Sequence, residues 1–294
     1  MTESHNTQRP NQQQFQDWNG VIGERWTTHQ DSLDALLQAH ADAVLAAARL
    51  QPGERVIDIG CGCGVTTLAA AASVGSQGLA LGVDISAIML NRAGERARSS
   101  GSTARFVEAD ASISIPEGGP FDAMISRFGV MFFEDPTAAF TNLLKMLREN
   151  GRLVFVCWRA AVENIWMTLP LDAARPALPP MTPSWPDAPG PFAFARRERI
   201  ANILADAGFS EIEITPQDVM MTLATGATAA EAAALAVTRS VQMGPLAAAL
   251  RDQPMDRREA ALALVQAKLE SVATPSGIVL PAATWIVTAR KPRP

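Results

Sequence analysis

Tyrosine is missing from the sequence altogether, and histidine and cysteine occur only three times each. The absence of tyrosine removes a phenol group as a catalytic base. The three cysteines, Cys61, Cys63 and Cys157, lie in apolar strand or turn contexts and lack the paired spacing of a zinc site or a disulfide framework. We therefore expect packing cysteines in a reducing compartment, and no metal site.

Positive charge is also scarce, with 25 Lys and Arg against 30 Asp and Glu and a formal net charge of −5. This balance gives no attraction to nucleic acid or to an anionic membrane, so we expect neither as a partner. No apolar run reaches the roughly 20 residues that a membrane span needs, and the polar amino terminus lacks the apolar region of a signal peptide. The composition predicts a globular, cytoplasmic protein.

One stretch organises the chain, the apolar run Val56–Ile59 followed by glycines at positions 60, 62 and 64. The run alternates like a buried strand and contains Asp58, and an alanine-rich segment of high helix propensity follows the glycines. A strand that turns sharply into a helix needs residues without a Cβ at the bend, where a ligand approaches the main chain. The stretch predicts a nucleotide-type ligand at the carboxyl edge of a parallel sheet.

The spacing of the glycines decides between ligand classes. A dinucleotide-binding fingerprint places Gly or Ala where this chain has Val65 or Thr67, so neither register fits. The pattern D-x-G-x-G-x-G instead resembles the class I S-adenosylmethionine (SAM)-dependent methyltransferases. The resemblance implies that Gly60, Gly62 and Gly64 wrap the methionine and ribose of SAM and that Asp58 lies beneath the methionine amino group. A dehydrogenase, or a glycine turn that binds nothing, remains the alternative.

A second acid follows at the end of the predicted strand Leu79–Asp84. A carboxylate at this position accepts hydrogen bonds from both ribose hydroxyls. The alternative is an ordinary acidic N-cap of the next helix. Ile85 and Met89 are candidates to flank the adenine, although both residue types also suit a core.

The resemblance continues along the chain. Behind the third predicted strand, residues 104–108, Asp110 matches the acid that accepts a hydrogen bond from the adenine amino group, with the Ala111 backbone at the ring edge. The loop after the fourth strand lies beneath the transferable methyl group in this family, and here it carries Ser126, Arg127 and Phe128. It lacks the Asn/Asp-Pro-Pro-aromatic quartet of the enzymes that methylate nucleobase amino groups, which disfavours a nucleobase substrate.

Methyl transfer requires a nucleophile held in line with the methyl group, and a dry aromatic pocket favours the loss of charge during the reaction. His29 is the candidate base, with a hydrogen bond to the cofactor carboxylate or a structural contact as the alternative. Arg127 is the candidate to orient an anionic substrate group or the methionine carboxylate. The candidate substrate-binding residues are Trp18, Trp26, Phe128 and Phe132.

Alternation of strands and helices, together with the resemblance, implies a doubly wound, mostly parallel, seven-stranded α/β sheet, the Rossmann-like methyltransferase fold. A helical insertion separates strands 6 and 7, with an apolar cap over the substrate and a dimerisation surface as alternatives. We expect residues 1 to about 13 to be disordered and a covering helix from about Asp31 to Leu50. The Pro-rich stretch should form an ordered wrapping loop, with disorder as the alternative. The expected units are residues 1–50 (tail and covering helix), 51–223 (SAM-binding core, with the Pro-rich loop 159–195), 224–275 (cap) and 276–294 (final strand).

The run S-R-F-G-V-M-F-F-x-D-P and the Cys157-Trp158 pair resemble the quinone-biosynthesis-like C-methyltransferases. The resemblance implies a SAM-dependent methyltransferase that acts on a small, fairly apolar metabolite at carbon, oxygen or nitrogen. The expected partner is the small-molecule acceptor, with a homodimer possible. The alternatives are a catalytically silent SAM-binding regulatory subunit and a methyltransferase of RNA or protein.

Overall fold

In a computed structural model, which describes residues 11–180, 187–242 and 244–293, seven strands form one sheet in the order β3-β2-β1-β4-β5-β7-β6. Strands β1 to β5 pair in parallel, and β7 is antiparallel to both β5 and β6. The predicted seven-stranded, mostly parallel sheet is confirmed. The strands are β1 (Arg55–Ile59), β2 (Leu79–Asp84), β3 (Arg105–Glu108), β4 (Phe121–Arg127), β5 (Leu147–Trp158), β6 (Ser210–Ala224) and β7 (Ile278–Arg290).

Helices flank this sheet and cover one of its ends. Among the described residues, no helix combines the length and the apolar character that would let it cross a membrane. The helices are α1 (Gln12–Trp18), α2 (Val21–Thr28), α3 (Gln30–Leu36), α4 (Gln38–Ala48), α5 (Val65–Val74), α6 (Ala87–Ser100), α7 (Pro136–Met146), α8 (Ile165–Ala174), α9 (Arg197–Asp206), α10 (Ala229–Ser240), α11 (Gly244–Leu250) and α12 (Met255–Ser271).

The parallel register brings four strand ends to one edge of the sheet. Central strands β1 and β4 are almost wholly buried, as their near-continuous apolar runs require. Asp58 of β1 pairs with Gly82 of β2 and with Ile125 of β4, so the loops that follow these strands emerge side by side. Ligands of such sheets bind outside the carboxyl ends of the strands, and this edge holds the candidate site.

The amino-terminal prediction needs two corrections. The single helix expected from Asp31 to Leu50 is two helices, α3 and α4, which break at Leu37. Leu37 is buried in the core, and the break lets the covering segment turn onto the sheet. Residues 11–13, expected to be disordered, are also ordered, because Asn11 is buried and hydrogen-bonded to distant residues at the start of α1; residues 1–10 of that prediction lie outside the described range.

The Pro-rich region also differs from the wrapping loop that was predicted, since helix α8 runs through Pro170. Pro170 lies only five residues after Ile165, so one early hydrogen bond of α8 is lost. Burial of Trp166 and Met167 on the same helix offsets this loss. Residues 181–186, which carry part of the proline run, lie outside the described range.

Helix α7 connects β4 to β5. It starts with Asp135 accepting from the Ala138 amide at 3.0 Å and Pro136 in the first turn. It ends at Met146, because Leu147 already pairs with Phe121 in the sheet. The apolar residues near the carboxyl terminus form one continuous strand, β7.

The segment between β6 and β7 is helical, as predicted. Helix α12 packs against α8 and α10, and α11 packs against α8. Leu246, Leu250, Val265 and Leu269 are buried in these contacts. The insertion is therefore joined to the core through α8, the helix that sequence reasoning missed, and through α10, which packs against β6.

Candidate functional site

A cavity of about 490 Å³ opens at the carboxyl edge of the sheet. This volume is typical of a small-molecule site. The loops after β1, β2 and β3 form one side, which we call the strand-end wall (residues 60–63, 83–85 and 109–111). We call the other side the aromatic wall, and it consists of Trp18, Trp26, Phe128, Phe132, Trp158 and Trp166.

The glycine loop of the strand-end wall depends on the absence of side chains. Gly60, Gly62 and Gly64 have φ values of 66°, 55° and 83°, in the left-handed region. A Cβ on Gly60 would lie 2.7 Å from the Cα of Gly129, and one on Gly62 would lie 2.7 Å from the Met89 methyl carbon. Gly60 and Gly62 line the cavity, whereas Gly64 starts α5 and packs against Phe106.

Asp58 lies beneath the glycine loop and is 1% exposed. Its Oδ2 accepts hydrogen bonds from Thr66 Oγ1 at 2.6 Å and from Thr67 Oγ1 at 2.7 Å. Its Oδ1 has no partner among the described residues. Burial raises the pKa of Asp58 to about 6, although the two hydroxyl groups act in the opposite direction.

Asp84 lines the cavity at the end of β2. Its Oδ2 accepts from the Gly62 amide at 2.8 Å, and its Oδ1 accepts from the Ser86 amide at 2.9 Å. The N-cap of α6 is Ser86, whose hydroxyl accepts from the Met89 amide, so Asp84 is not the cap residue of this helix. Burial raises the pKa of Asp84. Its carboxylate oxygens keep lone pairs for ligand hydroxyl groups.

Asp110, after β3, is joined to the amino-terminal segment. The Asn11 side-chain amide donates to Asp110 Oδ1 at 3.1 Å and to Oδ2 at 3.0 Å. Asn11 is itself fixed by Glu134, which accepts from the Asn11 amide and donates its own amide to Asn11 Oδ1, each at 2.9 Å. Asn11 also lines the cavity, so α1 starts directly over the strand-end wall.

In the loop after β4, Ser126 has a structural role, whereas Arg127 lines the cavity. Ser126 Oγ donates to the Ile59 carbonyl at 2.7 Å and accepts from the Gly129 amide at 3.2 Å, which ties this loop to the end of β1. Arg127 lines the cavity and pairs with Asp34 of α3 at 3.4 Å. Asp34 also pairs with Arg96 at 2.9 Å. Burial lowers the pKa of the Arg127 guanidinium, while Asp34 opposes this effect.

The aromatic wall brings together the four predicted aromatic residues. The Trp18 ring meets the Phe132 ring edge-on with centroids 5.3 Å apart, and lies 6.0 Å from the Trp26 ring. Phe128 stacks on Trp158 with centroids 4.2 Å apart and planes 9° apart. Such a wall excludes water and favours a flat apolar ligand.

His29 and His40 differ in their burial and in their distance from the aromatic wall. His29 is half-buried at the junction of α2 and α3 and does not line the cavity, so its role as a base stays a prediction. His40 is fully buried, with its ring centroid 5.0 Å from Trp158 and 5.3 Å from Phe128. Neither of its ring nitrogens has a partner among the described residues. Burial, with the nearby charge of Arg127, lowers the pKa of His40 to about 4.

Most of the predicted site residues share the cavity. Those that do not line it, besides His29, are Asp58, Gly64 and Ser126. The predicted residues that line it are Gly60, Gly62, Asp84, Ile85, Met89, Asp110, Ala111, Arg127, Trp18, Trp26, Phe128 and Phe132.

Sequence reasoning missed several lining residues, among them Asn11, Asp34, Trp158 and Trp166. Trp158 had a usable signal, because it ends a strand at the ligand-binding edge of the sheet. Asp34 and Gln30 lie one helical turn apart and hydrogen-bond at 2.6 Å, but no local pattern shows which face of α3 points inward.

Residues 56–151, from β1 to the start of β5, match the family described as a methyltransferase domain. The chain contains a SAM-dependent methyltransferase domain. The predicted resemblance to this class is thus confirmed, and the cofactor of the domain is S-adenosyl-L-methionine.

Two curated relatives of the methyltransferase domain are named for methyl transfer. The aklanonic acid methyltransferase DauC of Streptomyces sp. (strain C5) is 35% identical over 104 residues, which cover 35% of this chain and 47% of that protein. The ubiquinone/menaquinone biosynthesis C-methyltransferase UbiE of Rhizobium johnstonii is 28% identical over 191 residues, 60% of this chain and 74% of that protein. The chain spans about half the length of the first curated relatives that it matches.

Solved structures share the fold of the methyltransferase domain. The YcgJ protein of Bacillus subtilis has a TM-score of 0.57 at 15% identity, over 87% of this chain and all of that one (100%). Phosphoethanolamine N-methyltransferase 2 of Haemonchus contortus, solved with phosphomonomethylethanolamine and S-adenosylhomocysteine, has a TM-score of 0.57 at 16% identity, over 94% of this chain and 60% of that one. At these identities the likeness shows the fold alone.

The residues of the methyltransferase domain fit SAM. The loop after β1 presents main chain that side chains would otherwise cover, and the Asp84 carboxylate stands at the next strand end. Asp58 Oδ1 is a buried acceptor without a partner among the described residues, beneath the same loop. Buried carboxylate oxygens without a donor are costly, and a ligand ammonium group is a suitable partner.

Proposed function

We propose that the protein transfers the methyl group of SAM to a small, fairly apolar metabolite. The observation that carries this proposal is that one cavity has two chemically different walls. The strand-end wall offers main-chain groups and the carboxylates Asp84 and Asp110, whereas the facing wall is aromatic. A donor and an acceptor that must meet in line fit such an arrangement.

The residues of the strand-end wall bind and orient the cofactor in this proposal. Gly60 and Gly62 let the donor approach the main chain, and Asp84 accepts hydrogen bonds from the ribose hydroxyls. Asp110 and the Ala111 backbone bind the adenine edge, between Ile85 and Met89. Asp58 and Ser126 lie beneath the cavity. Asp58 accepts a hydrogen bond from the methionine amino group, and Ser126 holds the loop after β4 against β1.

The aromatic wall positions the acceptor and excludes water. When bound, SAM supplies a methyl carbon that an oxygen, nitrogen or carbon nucleophile attacks in line with the breaking bond to sulfur. Positive charge disappears from sulfur as the methyl group leaves, and a dry aromatic surface suits that change better than an anionic one. Trp18, Trp26, Phe128 and Phe132 therefore serve as acceptor contacts rather than as acids or bases.

The helical insertion acts as a cap in this proposal. Pro245, Ala247 and Ala248 of α11 line the cavity, while the same helix is anchored by Leu246 and Leu250. We expect Ala248→Trp to block binding of the acceptor without changing the affinity for the cofactor, because a large side chain would enter the cavity from the cap. Leu235→Trp, an exposed position on α10, is the matched control. Equal loss of acceptor and cofactor binding in Ala248→Trp would contradict the cap.

The purified chain tests the proposal directly. Calorimetry should show binding of S-adenosylhomocysteine and none of NAD(H), and labelled SAM should transfer its methyl group to small apolar acceptors. Cofactor binding without turnover across a wide acceptor panel would favour a silent regulatory subunit instead. Salt-sensitive retention of RNA would favour an RNA substrate. Light scattering in the same preparation decides between a monomer and a homodimer.

A further inference from the structure

Two residues that line the cavity carry buried hydrogen-bond donors without acceptors. Arg127 Nη1 and Trp166 Nε1 are both buried, and neither has a partner among the described residues. Both residues line the cavity. Buried N–H groups are almost always paired in folded proteins, and guanidinium and indole groups can only donate. A ligand that satisfies these two donors must bring acceptor atoms, and oxygen atoms are the most common acceptors in metabolites.

The charge around the cavity points to the same kind of ligand. Arg25 of α2 and Arg251, just after α11, line the cavity, and their side chains have no hydrogen-bond or ion-pair partner among the described residues. The carboxylates that line it, in contrast, each have partners within the protein. Asp34 pairs with Arg96 and Arg127, Asp84 holds two backbone amides, and Asp110 holds the Asn11 side chain. The three Arg and three Asp of the lining balance in formal charge, but the side chains of Arg25 and Arg251 have no ion-pair partner among the described residues, which favours an anionic ligand group beside them.

The shape of the wall restricts the rest of the ligand. Phe128 and Trp158 stack in parallel at 4.2 Å, and Trp166 lies 5.3 Å from Trp158. Side chains of this kind bind flat ring systems through their faces and edges. A charged group without an apolar body would leave this surface uncovered.

We propose that the methyl acceptor is a flat, apolar compound with an anionic oxygen group, a carboxylate or an enolate, whose oxygens accept hydrogen bonds from Arg127 Nη1 and Trp166 Nε1. Arg25 and Arg251 attract this anion at the cavity. The inference rests on the proposed function and assigns Arg127 to the acceptor rather than to the methionine carboxylate. It also assigns a function to Trp166, which lies on α8 between the core and the insertion.

Binding to the cofactor-loaded protein separates this proposal from a merely apolar pocket. The full chain is saturated with S-adenosylhomocysteine and titrated with naphthoic acid, naphthamide and methyl naphthoate, which have the same ring and differ in charge. The wild type should prefer the acid by about 10-fold or more, as expected for a hydrogen bond to a charged group. Anthracene carboxylic acid and its amide repeat the test with a larger ring.

Variants identify the donors. Trp166→Phe keeps an aromatic ring and removes only the N–H donor and part of the indole. It should lower acid affinity about 5–10-fold and amide affinity by less, because the neutral amide oxygen is a weaker acceptor than a carboxylate. Arg127→Gln should lower acid affinity about 10–100-fold. The double variant Arg25→Gln/Arg251→Gln should lower the affinity for the acid and reduce the salt dependence of its binding. Arg257→Gln, an exposed change on α12, is the matched control.

Several results would overturn the proposal. One is an acid that binds no more tightly than its amide and ester, and another is failure of every acid to bind to the loaded protein. Parallel losses for acid and amide in Trp166→Phe would show that only packing was lost. Weaker binding of S-adenosylhomocysteine itself in Arg127→Gln would assign Arg127 to the cofactor. Failure of the wild type to bind S-adenosylhomocysteine would contradict the proposed function instead, so the two failures are distinguishable.

Discussion

The two walls of the cavity are built by different means. The strand-end wall comes from three short loops, each of which directly follows a strand of the sheet. Its carboxylates are held by nearby amides, such as that of Gly62 for Asp84. The aromatic wall collects side chains from α1, α2, the loop after β4, the end of β5 and α8. A short motif therefore determines the first wall, whereas the second depends on how distant segments pack.

The largest loss of stability is expected from a substitution where the two walls meet. A Cβ on Gly60 would lie 2.7 Å from Gly129 Cα, in the loop that supports the aromatic wall, and Gly60 has a φ of 66°. We expect Gly60→Ala to lower the free energy of unfolding by about 4 kcal/mol, through backbone strain and the forced separation of the two loops. Denaturant unfolding measures this loss.

Gly53→Ala is the matched control for Gly60→Ala. Gly53 also has a positive φ, 85°, but an added Cβ would meet nothing within 4 Å. Only the conformational cost of about 1 kcal/mol should remain. Equal losses in the two variants would show that the close approach of Gly60 to Gly129 is unimportant.

The pH dependence of stability should distinguish the walls by the sign of its slope. Burial raises the pKa of Asp58, under the strand-end wall, from 3.8 to about 6, so the folded state holds a proton that the unfolded state has lost. Stability should then fall by up to about 3 kcal/mol as pH rises from 4 to 6. Burial lowers the pKa of His40, behind the aromatic wall, from 6.5 to about 4. Its contribution is present above pH 6.5 and lost by up to about 3 kcal/mol as pH falls toward 4.

These opposite slopes overlap and should nearly cancel in the wild type. Asp58→Asn leaves the histidine contribution, so the stability of this variant should rise between pH 4 and 6. His40→Leu leaves the aspartate contribution, so its stability should fall over the same interval. Urea unfolding at several pH values measures both slopes. The same slope in the two variants would refute the opposite assignments.

The difference between the walls also explains what could be predicted from the sequence. Asp58, Gly60 and Asp84 lie next to strands whose apolar runs are visible in the sequence, and the parallel sheet brings them together. Asn11 and Asp110 are 99 residues apart, and only the tertiary fold joins them. Trp166 lies on helix α8, which could not be predicted because Pro170 within it disfavours a helix. Local pattern thus predicts strands and their ends, but not which side chains face a cavity across separate segments.

The smallest expected effect is on cofactor affinity, from the removal of one carboxylate of the strand-end wall. Asp84→Ala should weaken binding of S-adenosylhomocysteine by about 1.5–3 kcal/mol, because charged hydrogen bonds to the ribose are lost. Asp135→Ala removes another acid that accepts a backbone amide, that of Ala138 at 3.0 Å, at an exposed helix start. This control should cost about 1 kcal/mol of stability and leave cofactor affinity unchanged. If calorimetry gave Asp84→Ala the affinity of the wild type, the ribose would be held elsewhere, and the carboxylate would serve only to fix the Gly62 and Ser86 amides.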